Sequence, residues 1–537
     1  LPRPWFLAEL SGEDDGGFLS PFPQALSRPF ALPFLCPISV FQIPTQMADK
    51  TRLNPCMPLD TLGLHEYGGD VVARTAIVLA AGLGTRMRSK KHKVLHEVCG
   101  KPMILHILDE LEKLALDQVI VVIGQARESV KQVVGGRAEF AVQEEQKGTG
   151  HAVQCAWPRL RPDADTVLVL YGDGPLVRAE TLRGMCEERE RRGAAAVLLT
   201  AELEHPDGLG RVILAADGTV ERIVEEKDAT PEQRRIRQVN TGLYAFAAAD
   251  LGEVLAKLSP DNKQGEYYLT DAAAILRERG RAVYPLAVDD VEEIASVNDR
   301  AQLAAVEQIM RRRICRRWML EGVTFIDPDR TYVGADVTIG PDTVIYPGSV
   351  LEGHTIIGED CVIGPNTRLV DAVVRDGARV ESSVVLESEI GPDASVGPFA
   401  YIRPGSEIGA RVKIGDFVEI KKSVVGDDSK VSHLTYIGDA EIGRRVNIGC
   451  GAVTVNYDGE RKHKTHVGDD SFIGCNVNLV APVSVGEGAY VAAGSTITDA
   501  VPDNGFAIAR ARQVTKPDYV RAWKERHAGK SRREETE

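Results

Sequence analysis

VTIGPDTVIYPGSVLEGHTIIGEDCVIGPNT, residues 337–367, carries an aliphatic residue about every six positions, often followed by glycine and then by a small residue two or three further on. A six-residue unit of this kind supplies one short strand and one turn. Three units close a triangular coil, and the aliphatic side chains stack inward between coils. The period runs from about Thr331 to about Ile497, roughly two dozen units, too many for chance. It predicts a C-terminal left-handed parallel β-helix of hexapeptide repeats, with its tail, over 323–537. The repeat breaks once, at VTVNYDGERKHKTHVGDD (453–470). That polar stretch cannot line a six-residue coil, so it is expected to loop out on the functional face.

Upstream the pattern differs. TAIVLA (75–80), QVIVVIG (118–124) and TVLVLYGD (166–173) read as buried strands, and ILHILDELEKL (104–114) has helical apolar spacing. Near-continuous β-branched runs alternating with helices predict an α/β, Rossmann-like domain with a mixed, mostly parallel sheet over 74–298. Such sheets bind ligands beyond the carboxyl ends of their strands. The loops LAAGLGTRM (79–87) and LYGDGPL are therefore expected to border one site. A long helix, DRAQLAAVEQIMRRRICRRWML (299–320), leads onward within a linker over 299–322, and its arginine run reads as a solvated face.

Residues 1–73 stand apart. Eight of the 28 prolines fall within 1–46, interrupting an apolar stretch that Glu9, Glu13, Asp14 and Asp15 precede. A secretion signal wants a basic start and an unbroken apolar run, so this reads as a disordered extension. The charged tail, 524–537, is likewise expected to lack structure.

Composition narrows the function. A chain of 537 residues exceeds one core, and 6% aromatic content with 51 glycines suits a solenoid of tight turns. A net charge of −14 disfavours nucleic-acid binding, which rests on Lys and Arg neutralising phosphates. The nine cysteines are scattered and form no CxxC, which argues against disulfides or zinc and for a reducing, cytoplasmic setting. No run of 18 apolar residues occurs, so no membrane span is expected.

The first candidate chemistry sits in LAAGLGTRM. Gly82 and Gly84 let backbone amides approach phosphate oxygens, and Arg86 supplies a cation. Lys93 follows in KHKVL. Asp173, just past a strand end, can hold Mg2+ against a triphosphate. Taken with QKGTGHA, GLGR, EEKDA, VNTG and SVNDR, these residues resemble the sugar-1-phosphate nucleotidylyltransferases. In the β-helix, RPGSEIG (403–409), FVEIKKS (417–423), SHLTYIGDAEIG (432–443) and NYDG (456–459) extend the likeness. The chain as a whole resembles the bacterial bifunctional N-acetylglucosamine-1-phosphate uridyltransferase/glucosamine-1-phosphate N-acetyltransferase family over about residues 74 to 523.

That resemblance implies two activities that together make UDP-N-acetylglucosamine, a cell-wall and lipopolysaccharide precursor. Acetyl-CoA acetylates glucosamine 1-phosphate, and UTP then uridylylates N-acetylglucosamine 1-phosphate, releasing pyrophosphate. It implies that Leu79, Ala80, Ala81 and Gly82 contact the nucleotide, and that Arg86 and Lys93 act on the reacting phosphates. Gln143, Gly148 and Thr149 would read the uracil. Tyr171, Gly172 and Asp173 would lie by ribose and metal, and Gly210, Glu225 and Asn240 would hold the sugar. Asn298 would join Asp173 on Mg2+. Family members usually carry proline where this chain has His92, which puts the rigidity of that loop in question.

For the second activity the resemblance makes His433 the proton acceptor, an imidazole being suited by its near-neutral pKa. Arg403 and Lys421 would bind the sugar phosphate, with Glu419 balancing charge. Tyr436 and Asn447 would line the sugar site. Cys450, Asn456, Tyr457, Cys475, Ala493 and Arg510 would contact acetyl-CoA, the two cysteines standing where relatives often have Ala and Ser. A β-helix needs no histidine at a turn, and a single solenoid has no deep cleft; the resemblance implies a homotrimer, with grooves between three β-helices packed side by side. The competing readings are a single-activity nucleotidylyltransferase with a structural β-helix and a non-catalytic sugar-nucleotide sensor. His433 with its insert weighs against the first. The set Arg86, Lys93, Asp173 and Asn298 weighs against the second.

Overall fold

A computed structural model describes residues 72–124 and 127–534. All but the end of the Pro-rich stretch 1–73 lies outside these residues. The α/β part is built on a sheet whose main path runs Val283–Ala287, Ala196–Glu202, Gln238–Ala247, Thr166–Tyr171, Arg74–Ala80, Gln118–Ile123 and Glu139–Val142. Neighbours on this path are parallel except where Gln238–Ala247 runs against both of its partners. Successive side chains of the first strand enter opposite layers. Ile77 joins the core with Val169 and Phe246, while Ala76 and Val78 pack with Leu168, Ile104 and Leu111. Burial on both faces explains the near-continuous apolar runs. Leu79 pairs with Tyr171 in parallel register, so the loops after these two strands emerge side by side.

The helix Arg300–Leu320 follows, capped by the Asp299 side chain, which accepts from the Gln302 amide at 2.9 Å. Its arginine run is not a solvated face throughout. The Arg311 guanidinium lies 4.6 Å from the Tyr332 ring centre. Arg313 donates to the Leu176 carbonyl at 2.7 Å and to Asp290 Oδ2 at 3.1 Å. Composition alone cannot distinguish a solvated arginine from one that docks on carbonyls contributed by distant loops.

From Thr324–Phe325 to Phe506–Ala507 the chain winds three parallel sheets of eleven, ten and nine short strands. Ile339, Ile345, Leu351, Ile357, Ile363 and Leu369 are all buried, six residues apart, and form the stacked interior. Coil corners recur at Asp342, Asp360 and Asn366, all with positive φ, a conformation that Asp and Asn tolerate. Buried hydroxyls satisfy the turns, as where Thr343 Oγ1 donates to the Gly358 carbonyl at 2.8 Å. The excursion from the solenoid is shorter than 453–470. Val453–Val455 and Thr465–Val467 keep ladder register, and only 456–464 leaves the coil, closed by a bridge between Tyr457 and Lys462. The β-branched ends of that stretch belong to strands.

The charged tail also differs from expectation. Tyr519–Glu534 is helical, in keeping with its Lys, Arg, Glu and Ala content. No helix of the described residues is long and apolar enough to cross a membrane.

Candidate functional site

A cavity of about 290 Å³ opens where the two loops emerge, lined by Leu79, Ala80, Ala81, Gly82, Lys93, Gln143, Gly148, Thr149, Tyr171 and Asp173. A second, of about 270 Å³, shares Tyr171 and Asp173 and is lined by Gly210, Glu225, Asn240 and Asn298. The residues singled out for nucleotide and for sugar thus fall into adjoining spaces. Gly172 lines neither. Its amide donates to the Leu79 carbonyl at 2.9 Å, and a Cβ there would stand 3.2 Å from both Ala80 and Val94, so it lets the two loops close.

Charge concentrates where the cavities meet. Lys93 Nζ donates to Asn298 Oδ1 at 3.0 Å and is ion-paired with Asp173. Arg86 Nη2 donates to the same Asn298 oxygen at 2.9 Å. A carboxylate and an amide oxygen therefore converge on one ammonium. His92, which precedes this lysine, has φ −61° and ψ 145°, a backbone geometry that proline also favours. The loop keeps its path without the ring, and burial holds the His92 imidazole below its usual pKa.

Deeper in the second cavity, burial pushes the Glu225 carboxyl up, partly opposed by a hydrogen bond from Thr270 Oγ1 at 3.1 Å. Asn240 is fixed by donating to the Tyr244 hydroxyl at 2.9 Å and accepting from the Gly242 amide at 3.0 Å.

Two supports were not visible in sequence. The Val297 amide donates to the Asp173 carbonyl at 3.0 Å, which ties the Asn298 loop to Asp173. Arg313 joins the same two loops from behind through Leu176 and Asp290, while Arg178 pairs with Asp290 at 2.5 Å.

On the β-helix the remaining candidates gather along one edge. His433 ends the strand Lys430–His433, and Tyr436 begins the next face at Tyr436–Gly438. Cys450, Cys475 and Ala493 occupy this corner on successive coils. The Asn476 amide donates to the Cys450 carbonyl and the Gly494 amide to the Cys475 carbonyl, each at 2.8 Å. Asn447 lies on a strand between those of Lys430 and Phe472, and the Arg510 Cδ would stand 3.8 Å from a Cβ at Gly494.

His433 is exposed, and its Nδ1 lies 2.5 Å from Asp416 Oδ1, one coil earlier in direct ladder register. The hydrogen bond to His433 holds the Asp416 carboxyl below the usual range. Asp416 is not legible in the sequence: a regular coil of three six-residue units would set it beside Leu434, and only the shorter coil seen in the ladder, 17 residues long, brings it to His433.

Beyond the corner, Arg403 donates to Glu419 Oε1 at 2.7 Å and stacks over Lys421 in the ladder. Lys421 Nζ donates to Asp439 Oδ2 at 2.7 Å. Asn456 bonds the same carboxylate and reaches the Tyr436 hydroxyl at 3.4 Å. Lys462, from the excursion, contacts Lys421, which lowers its pKa. Arg403, Lys421 and Lys462 together make a cationic patch suited to a phosphate. Tyr457 is exposed on the excursion.

Comparison with known proteins agrees with both parts. Residues 76–275 match the MobA-like NTP transferase domain family, and 336–371, 387–422 and 464–499 match the bacterial transferase hexapeptide (six repeats) family. A bifunctional protein GlmU of Geobacillus sp. is 53% identical over 450 residues, covering 84% of this chain and 98% of the relative. The bifunctional protein GlmU of Acetivibrio thermocellus is 52% identical over 445 residues, 83% of this chain and 96% of the relative. That of Exiguobacterium sibiricum is 52% identical over 444 residues, 83% and 99% respectively.

Proposed function

This chain belongs to the family of bifunctional GlmU proteins, and on that premise we propose how its two sites divide the synthesis of UDP-N-acetylglucosamine. Residues 74–298 carry uridylyl transfer, 299–322 link, and 323–537 carry acetyl transfer. The observation that supports this most is the separation of two distinct residue sets, one around Lys93 in the α/β cavities and one around His433 on the β-helix.

In uridylyl transfer the sugar phosphate is already a nucleophile. It attacks the α-phosphorus of UTP in line, the bond to the β-phosphate oxygen breaks, and pyrophosphate leaves. The protein needs no base, only positioning and charge neutralisation. Arg86 and Lys93 supply fixed cations. Glu225 and Asn240 hold the sugar, and Gln143, Gly148 and Thr149 hold the base. The oxygens of Asp173 and Asn298 already converge on one cation, the Lys93 ammonium, and such hard donors fit Mg2+. When bound, the ion neutralises phosphate charge.

In acetyl transfer Asp416 takes the Nδ1–H of His433, leaving the Nε2 lone pair free. Nε2 accepts a proton from the amine of glucosamine 1-phosphate as the nitrogen attacks the thioester carbonyl. The carbon–sulfur bond breaks and the CoA sulfur takes up a proton. Arg403, Lys421 and Lys462 hold the sugar phosphate. Three chains packed side by side supply the groove that acetyl-CoA needs, so the working form is a cytoplasmic homotrimer.

Asp173→Ala tests the division. It should abolish pyrophosphate release and leave thiol release from acetyl-CoA nearly intact. Parallel loss of both in a folded variant refutes the two-site reading.

A further inference from the structure

Gln143 is almost wholly buried, 3% exposed, yet lines the nucleotide cavity beside Gly148, Thr149 and Ala152. Its amide nitrogen makes two contacts, to the Gly148 carbonyl at 3.1 Å and to His151 Nδ1 at 3.0 Å. The carbonyl can only accept, so the nitrogen must face it, and the amide orientation follows. The second N–H requires a bare Nδ1, which places the His151 proton on Nε2. Nε2 lies 3.8 Å from Cys155 Sγ, one helical turn on in Thr149–Ala156, where sulfur serves as a weak acceptor. Burial raises the Cys155 pKa, which keeps the sulfur a neutral thiol. Among the described residues no donor reaches Gln143 Oε1.

We propose that His151, backed by Cys155, is a positioning residue for nucleobase selection: it holds Gln143 as a pure acceptor toward the base. An acceptor suits the N3–H of uracil and opposes the bare N3 of cytosine. This rests on the reading of the cavity as a UTP site. Without His151 the amide keeps one anchor, at Gly148, and turning its nitrogen toward cytosine N3 becomes easier. The base itself then no longer meets a fixed edge.

The test compares kcat/KM for UTP and CTP, by pyrophosphate release with N-acetylglucosamine 1-phosphate, in the wild type, His151→Phe and His151→Asn. Phenylalanine keeps the ring bulk without a lone pair, whereas asparagine can place Oδ1 where Nδ1 stands. The UTP:CTP ratio should fall about tenfold or more in His151→Phe, the worth of one hydrogen bond. It should be largely retained in His151→Asn, and acetyl transfer should be unchanged in both. If His151→Phe fails to fold, His151→Ala is read the same way. An unaltered ratio in the non-accepting variant overturns the proposal. A wild type that uses CTP as readily as UTP, or neither, overturns the underlying reading and the proposal with it.

Discussion

Gly242→Ala puts the shared wall of the two cavities under load. Gly242 has φ +81°, and an added Cβ would stand 2.9 Å from Cδ2 of Tyr171, 3.0 Å from its Cζ and nearer still to Cε2. Ordinary carbon contacts begin near 3.5 Å, so the ring must move. Left-handed backbone costs an alanine about 1–2 kcal/mol, and overpacking about 1–3 kcal/mol, together about 2–5 kcal/mol. Tyr171 lines both cavities and is the movable partner. The strain should therefore appear largely as a displaced ring, and about 2 kcal/mol corresponds to roughly 30-fold in rate. Uridylyl transfer, read as kcat/KM by pyrophosphate release, should fall by that factor or more while acetyl transfer holds. Gly218→Ala isolates the backbone contribution, because Gly218 also has positive φ, +80°, but an added Cβ meets nothing within 4 Å. It should lose a little stability and no activity. A Gly242→Ala enzyme with the wild-type uridylyl rate would refute the reasoning that a displaced Tyr171 ring disturbs the cavities it lines.

Three further outcomes follow from the same geometry. Burial raises the Glu225 pKa, so its ionised form costs stability at neutral pH. Glu225→Gln should raise Tm at pH 7–8, the gain shrinking as pH falls through the folded pKa toward the unfolded value of 4.5, while sugar-phosphate KM rises. Asp416→Asn should lower acetyl-transfer kcat about tenfold or more without changing uridylyl transfer, measured by thiol release, since the amide no longer stabilises an imidazolium. Arg313→Met should lower uridylyl transfer about tenfold or more and spare acetyl transfer, because charge-assisted hydrogen bonds are worth about 1.5–3 kcal/mol and these hold the Asp173 and Asn298 loops together; Arg313→Lys should recover only part of the loss in the same assay.

Fold and site are legible in the sequence where local pattern and physics coincide. A six-residue aliphatic period admits little but stacked coils, and Ile339 through Leu369 fill the interior it demands. Gly-rich loops after two buried strands led to Leu79–Tyr171 pairing and one shared mouth. A residue's role is not legible where it depends on distant partners. Arg313 looks like any solvated helical arginine until Leu176 and Asp290 are placed beside it. Asp416 acquires meaning only through coil register with His433. Lys462 lies on an excursion whose path no periodicity describes, and that excursion is shorter than the polar stretch implies because its flanking valines belong to strands. The tail's charge suggests a chain without structure, yet its helix-forming composition prevails.

The most direct measurement supplies purified protein with glucosamine 1-phosphate, acetyl-CoA, UTP and Mg2+ and follows the products. The two-site mechanism predicts UDP-N-acetylglucosamine with matching release of CoA thiol and pyrophosphate, dependent on both His433 and Asp173. Pyrophosphate release only when N-acetylglucosamine 1-phosphate is supplied, with no thiol released from acetyl-CoA, would contradict it and leave the β-helix a structural element.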